Sequence, residues 1–266
     1  MSNKRLVASD PWSPLRRLTT ARIALGRSGG SLSTHAQLDF RLAHARARDA
    51  VVSAFDPESL AAELRATGQT VLVAESAARN RAEFLRRPDL GRQLAPDSRD
   101  ALCSHAERAS SCDLVMIVSD GLSTLAANTQ AVPLLESLLP LLDGWRLAPL
   151  IVARFARVAL QDEIGGILGA KISLMLLGER PGLGSADSLG AYFTFAPQIG
   201  RTDAERNCIS NIRPGGLSPA DAARKLHHLL NQSRQLSMSG VHLKDEIPNP
   251  DLTMESPRTL LPNQIG

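Results

Sequence analysis

The residues of this chain best placed to do chemistry stand in one stretch, Lys171-Ile-Ser-Leu-Met-Leu-Leu-Gly-Glu-Arg-Pro-Gly-Leu-Gly184, an apolar run ending in a glycine-rich turn with one carboxylate, Glu179. Such a run reads as a strand buried on both faces. Open α/β sheets take ligands at the carboxyl ends of such strands. A carboxylate there accepts hydrogen bonds from the amides or hydroxyls of a ligand, but equally serves in a turn or ion pair, so its type alone leaves both roles open. Asp120, in Ser119-Asp-Gly-Leu-Ser-Thr124, follows a second apolar run. For it a helix-cap or turn role is favoured over a ligand contact.

The familiar phosphate sites do not fit these segments. A dinucleotide fingerprint needs G-x-G-x-x-G, and the nearest match, Gly182-Leu-Gly-Ser-Ala-Asp187, puts an aspartate at the third glycine. No glycine-rich segment supplies the Gly-Lys-Ser/Thr of a P-loop, and no G-x-S-x-G nucleophile elbow occurs. The six histidines form no metal-spaced set, and Cys103, Cys112 and Cys208 lack C-x-x-C spacing, so neither a metal site nor a disulfide framework is expected. The chain reads as a binder rather than a self-sufficient enzyme. On residues alone, a nucleotide-binding regulatory or structural Rossmann-like module remains open as the alternative.

These groups must be held by elements, and the texture of the chain changes near residue 110. Before it, Leu38, Leu42 and Ala45 recur at helical spacing, and Pro57–Leu64 suits a helix with Asp56 as cap. Gly26–Ser31 and Arg87–Gly91 punctuate this part as loops. After residue 110, short apolar runs alternate with helical patterns, the signature of a parallel sheet covered by helices. Strands are predicted at Asp113–Val118, Pro149–Ala153, Ile172–Leu177, Tyr192–Phe195 and Asn207–Ile209, and helices at Gln130–Leu142, Asp162–Leu168 and Ser218–Leu236. The expected fold class is therefore α/β, a Rossmann-like parallel sheet domain over residues 110–242 preceded by a mainly helical N-terminal region over 1–109. The proline-rich stretch 243–266 reads as a flexible tail or one that wraps a neighbour.

Composition narrows the function classes. The 266 residues are 43% hydrophobic and 21% charged, enough for a sizeable core. Net charge is +3 and aromatics are 3%, so despite arginine clusters at 16–27 and 41–48 the chain lacks stacking platforms for bases, and no nucleic-acid partner is expected. No apolar stretch is long enough to span a membrane and the start lacks a signal-peptide segment, so the expectation is a cytoplasmic protein with reduced thiols.

Six segments, taken together and in order, carry a resemblance. They are Thr20–Gly29, Arg87-Pro-Asp-Leu-Gly-Arg92, Val118–Thr124, Ile164-Gly-Gly-Ile-Leu-Gly-Ala-Lys171, Gly178-Glu-Arg-Pro-Gly-Leu-Gly184 and Cys208-Ile-Ser-Asn-Ile212. Over roughly residues 11–240 the chain resembles the small subunit of ethanolamine ammonia-lyase. The resemblance implies an adenosylcobalamin-dependent enzyme that converts ethanolamine to acetaldehyde and ammonia by a radical route. In that family a TIM-barrel large subunit binds ethanolamine and carries the reaction, while the small subunit completes the cobalamin site in a hetero-oligomer. The cofactor supplies the difficult step and protein supplies placement.

The resemblance also implies which residues meet the cofactor: Val158 in Arg157-Val-Ala159, Glu179, and Cys208. Taken singly, Val158 reads as core and Cys208 as a small buried hydrophobe that packs or offers its backbone rather than ligating cobalt. Gly178, Gly182 and Gly184 are expected to let backbone approach the macrocycle. The resemblance further implies a base-on cofactor, with its own dimethylbenzimidazole on cobalt, and the sequence contains no Asp-x-His-x-x-Gly motif to supply a protein histidine in its place. Longer family members begin with an amphipathic segment that delivers them to a bacterial microcompartment; here Pro11-Trp-Ser-Pro-Leu comes almost at once, and the stretch from about Val241 is unlike the family ending.

Overall fold

The apolar runs pair into one mixed sheet. In the computed structural model, which describes residues 10–19 and 21–244, six strands lie in the order β1-β3-β2-β4-β5-β6. They are β1 (Val71–Glu75), β2 (Leu114–Ser119), β3 (Leu150–Arg154), β4 (Ile172–Gly178), β5 (Leu189–Phe195) and β6 (Arg206–Ile212). The helices are α1 (Thr34–Val52), α2 (Pro57–Ala66), α3 (Arg81–Arg86), α4 (Pro96–Ala106), α5 (Thr124–Leu138), α6 (Leu160–Ile167) and α7 (Pro219–Leu236). Strands β1 to β4 are mutually parallel, whereas β5 and β6 run antiparallel to their neighbours. The expected wholly parallel sheet is thus corrected to a mixed one. A parallel return needs a crossover of a dozen or more residues, usually a helix, and the Gly/Pro-rich segment 179–188 between β4 and β5 forms no helix.

Alternate residues of each strand point to opposite faces, and two cores result. Leu114, Met116 and Val118 of β2, with Leu174 and Leu176 of β4, face α2, α5 and α7. Val115 and Ile117, with Ile151 and Met175, face α4 and α6. Strand β2 is buried along its whole length, as the unbroken apolar run required. The connection leaving β2 runs over the α5 face and that leaving β3 over the α6 face, so adjacent strand ends part to opposite sides. Such a parting opens a crevice at the carboxyl ends of β2 and β3.

The N-terminal part is helical but not only that. Val71–Glu75 forms the edge strand β1, paired in register with β3, so the sheet draws on residues before 110. Five residues of half-buried edge strand carry too little apolar signal to be read in advance. Helix α1 forms where expected, capped by Ser33, whose hydroxyl accepts from the Ala36 N–H at 3.3 Å. Its buried side chains are Ala36, Ala43 and Ala50, while Leu38, Phe40 and Leu42 face outward. Helix α5 begins six residues earlier than predicted because Ser123 caps it, accepting from the Ala126 N–H at 3.2 Å. The stretch Met1–Ser9 and the tail from Glu246 onward, with Asp245, lie outside the described residues. No helix among the described residues is long and apolar enough to cross a membrane.

Candidate functional site

The crevice holds a cavity of about 450 Å³ lined by the loops after β2, β3 and β4 and by Tyr192 of β5. Two of the three singled-out residues, Val158 and Glu179, line it. Val158 stands in the turn that opens α6, half-buried against the core cluster that also includes Tyr192. Cys208 is not among the lining residues, but it is the register partner of Tyr192 across β5 and β6. It is exposed, not the small buried hydrophobe that its type suggested.

Glu179 is held on three sides. The Ser188 hydroxyl donates to Oε2 at 2.5 Å, the Asn211 N–H donates to the same oxygen at 3.3 Å, and the Tyr192 hydroxyl donates to Oε1 at 3.4 Å. Its own N–H donates to the Ser188 carbonyl at 3.0 Å. Gly190 makes the room beneath it: a Cβ there would lie 2.8 Å from Glu179 Oε1 and 2.7 Å from Tyr192 Cε2. The carboxylate is therefore aimed, not loose on a turn.

Its neighbours are neutral. Burial, then the Cys208 thiol and the Glu179 carboxylate, raise the Tyr192 phenol above its ordinary range. The protein packed around the Cys208 thiol, and after it the Glu179 charge, raise that group to about 11, with the Tyr192 hydroxyl acting the other way. At neutral pH the groups beside Glu179 are thus a phenol and a thiol. Arg157 and Arg180 also line the cavity. Such a rim recognises a ligand that carries both donors and acceptors. Among the lining residues no nucleophile sits beside a base.

The loops are tied by Asp120, which is not the helix cap but opens the turn of residues 120–123, its carbonyl accepting from the Ser123 N–H at 3.0 Å, and which does not line the cavity. Its fully buried carboxylate accepts from the Phe155 N–H at 2.8 Å and from Arg81 Nη1 at 2.8 Å. Ser119 Oγ accepts from the Ala156 N–H at 3.1 Å. The Ser119-Asp120 pair therefore fixes the β2 loop to the β3 loop, and burial raises the Asp120 carboxyl above its usual range against the Arg81 charge. Glycines are used likewise. A Cβ on Gly178 would lie 2.1 Å from the Ser123 carbonyl oxygen and 2.3 Å from that of Asp120, so that glycine answers to its own chain. Gly91 meets Arg157 in the same manner, its carbonyl accepting from the Arg157 N–H at 2.7 Å, which joins the Arg87–Arg92 and Arg157–Ala159 segments.

Residue-level reading of the sequence missed Ser188, Tyr192 and Arg157. Tyr192 carried a signal, as the only tyrosine of the chain, in a predicted strand. Ser188 and Arg157 carried none.

Fold and site define a mixed α/β protein with a polar-rimmed cleft at the carboxyl ends of its parallel strands. Residues 9–244 match the family described as ethanolamine ammonia-lyase light chain (EutC). The chain is similar to the ethanolamine ammonia-lyase small subunit of Azotobacter vinelandii, 53% identical over 92% of each chain. Similarity to the small subunits of Pseudomonas putida F1 (51%, 92% of each chain) and Pseudomonas aeruginosa LESB58 (51%, 95% of this chain and 93% of the relative) is nearly as close. The chain belongs to the ethanolamine ammonia-lyase small-subunit family.

Proposed function

We propose that this chain is the small subunit of an adenosylcobalamin-dependent ethanolamine ammonia-lyase, which converts ethanolamine to acetaldehyde and ammonia, and that its strand-end cleft completes the cobalamin site against a TIM-barrel large subunit. The observation that carries this reading is the convergence of Val158 and Glu179 on one cleft in a chain of this family, with Cys208 joined to it through Tyr192.

The donor set fits the group. Cobalamin presents amide side chains, a ribose and a phosphate around a large apolar ring; the cleft offers the aimed Glu179 carboxylate for amides and hydroxyls, Arg180 as a donor for carbonyl oxygens, and Val158, Leu122 and Leu177 for the ring. When bound, the cofactor, base-on, supplies the radical chemistry. The residues of this chain bind and orient: Glu179 accepts from the periphery, Val158 packs, and Cys208 lies beside Glu179 as a neutral thiol. A cleft open on one side suits a site shared with a second subunit.

The remaining parts of the reading follow from it. The parallel strands β1 to β4 with helices on both faces form a Rossmann-like unit, bounded as 110–242 with β1 lent from the N-terminal region. Residues 1–109 dock on the large subunit, a role supported by the outward Leu38, Phe40 and Leu42 of α1, which are 58%, 45% and 52% exposed. The complex works in the cytoplasm or within a bacterial microcompartment. Mixing the purified chain with its large subunit, adenosylcobalamin and ethanolamine is expected to yield acetaldehyde. Two folded chains giving none would overturn the reading.

A further inference from the structure

A second cavity of about 450 Å³ opens on the other side of the Arg157–Val158 turn. Its charge is unbalanced. Of its arginines, Arg201 pairs with Glu205, and Arg206 is bidentate to Asp162 at 2.7 Å and lies 3.5 Å from Asp203. Arg92 and Arg157 have no carboxylate partner among the described residues.

Arg157 is also incompletely bonded. Its Nη2 donates to the Phe84 carbonyl at 3.1 Å and its guanidinium lies 4.2 Å from the Phe84 ring centre, which fixes the plane. Its Nε is buried and has no acceptor among the described residues. A buried donor left unpaired is costly unless something completes it. Arg92 stands exposed at the cavity, and the N–H groups of Val158 and Ala159, at the uncapped start of α6, have no protein acceptor among the described residues. Two guanidiniums without a carboxylate partner, one held rigid, make a seat for a single tetrahedral anion.

We propose that Arg157 and Arg92 bind a phosphate group, namely the phosphodiester in the nucleotide tail of cobalamin, reached across the Val158 wall that the two cavities share. The proposal rests on the cobalamin reading above. It divides the ligand: the cleft beside Glu179 takes the ring periphery, and the arginine cavity takes the tail.

Cobinamide, the corrin without the nucleotide tail, separates the two. The assembled two-subunit complex is titrated with cyanocobalamin and with dicyanocobinamide, followed by the corrin absorption band, for the wild type, Arg92→Ala and Arg157→Gln. The exposed Arg92 guards against a folding artefact at Arg157. Arg92→Ala is expected to weaken cobalamin about tenfold, the loss of roughly one charge-assisted hydrogen bond, and to leave cobinamide unchanged; Arg157→Gln, whose side chain also lines the cleft beside Glu179, is expected to weaken cobalamin more than cobinamide. Inorganic phosphate is expected to compete with cobalamin but not with cobinamide. Equal weakening of both corrins, or none, overturns the proposal. So does arginine-dependent phosphate binding with cobalamin affinity unmoved, which marks a site for free phosphate. Wild type that binds neither corrin fails the cobalamin reading itself and takes the proposal with it.

Discussion

At the scale of single residues, the site is a set of restraints on one carboxylate. Glu179 would be an ordinary turn residue were it not for Ser188, Tyr192 and the Asn211 N–H, which fix both oxygens, and for Gly190, which leaves them space. Glu179 stood out in the sequence because it is the lone carboxylate of a glycine-rich strand end. Its partners did not, because Ser188 and Asn211 meet it only when β5 and β6 fold back antiparallel. The thiol beside it reports on its charge. Alkylation of Cys208 by iodoacetamide needs the thiolate, so the labelling rate is expected to keep rising with pH up to about 11. Glu179→Gln removes a negative neighbour and is expected to move that profile to lower pH. A profile levelling off near an ordinary thiol value of about 8.5 would contradict the placement of Glu179 and Tyr192 around Cys208. Peptide mass spectrometry reads the rate at this cysteine alone.

At the scale of elements, loops on two neighbouring strands are locked by a buried acid. Asp120 holds the Phe155 N–H and Arg81 together, and Asp120→Ala leaves a buried N–H unpaired and a half-buried guanidinium without its carboxylate, bonded only to the Val51 and Gly121 carbonyls. Loss of one partner from such a pair costs about 3–5 kcal/mol. Denaturant unfolding of Asp120→Ala is expected to show a loss of that order, and a loss below about 1 kcal/mol, the worth of an exposed pair, would contradict the tie. The turn into β6 is held more lightly. Glu205 accepts from the Thr202 N–H at 2.7 Å and from Arg201, and these, the Thr202 bond first, hold its carboxyl down at about 2. A folded-state pKa below the unfolded one gives stability that is present above the unfolded value, about 4.3, and is lost as pH falls toward the folded one. The stability gap between wild type and Glu205→Gln is therefore expected to be open at pH 6 and to close between about pH 4.3 and 2, measured by unfolding at each pH. A gap that widens on acidification would contradict the contact.

Elements differ in how far the residues announced them. β2, β3 and β4 were legible because strands buried on both faces must be apolar throughout. β1 was not, being a short edge, and the antiparallel return of β5 became clear only from the lack of a crossover helix between residues 178 and 189. Helix α1 was found through Leu38 and Leu42, yet these face out. Periodicity finds an apolar stripe; whether the stripe faces the chain's own core is a tertiary matter.

At the scale of the whole molecule, the chain gathers its recognition groups on one edge of the sheet and keeps an apolar stripe exposed on α1. Both features suit half of a larger assembly. On the proposed function, a chain that shares a site and lets a cofactor supply the chemistry has no need of a nucleophile, metal cluster or P-loop of its own. The candidate site was legible as a strand end and as family segments, while the cleft itself arose from the parting of the connections after β2 and β3, which is a property of topology. The measurement that tests the central claim most directly is equilibrium binding of adenosylcobalamin to this chain, to the large subunit and to the two together, with wild type and Glu179→Ala. Tight binding by the complex, at least tenfold weaker with Glu179→Ala (about 1.4 kcal/mol), is the predicted result. Equal affinity of the large subunit alone and of the complex, untouched by the substitution, would contradict it.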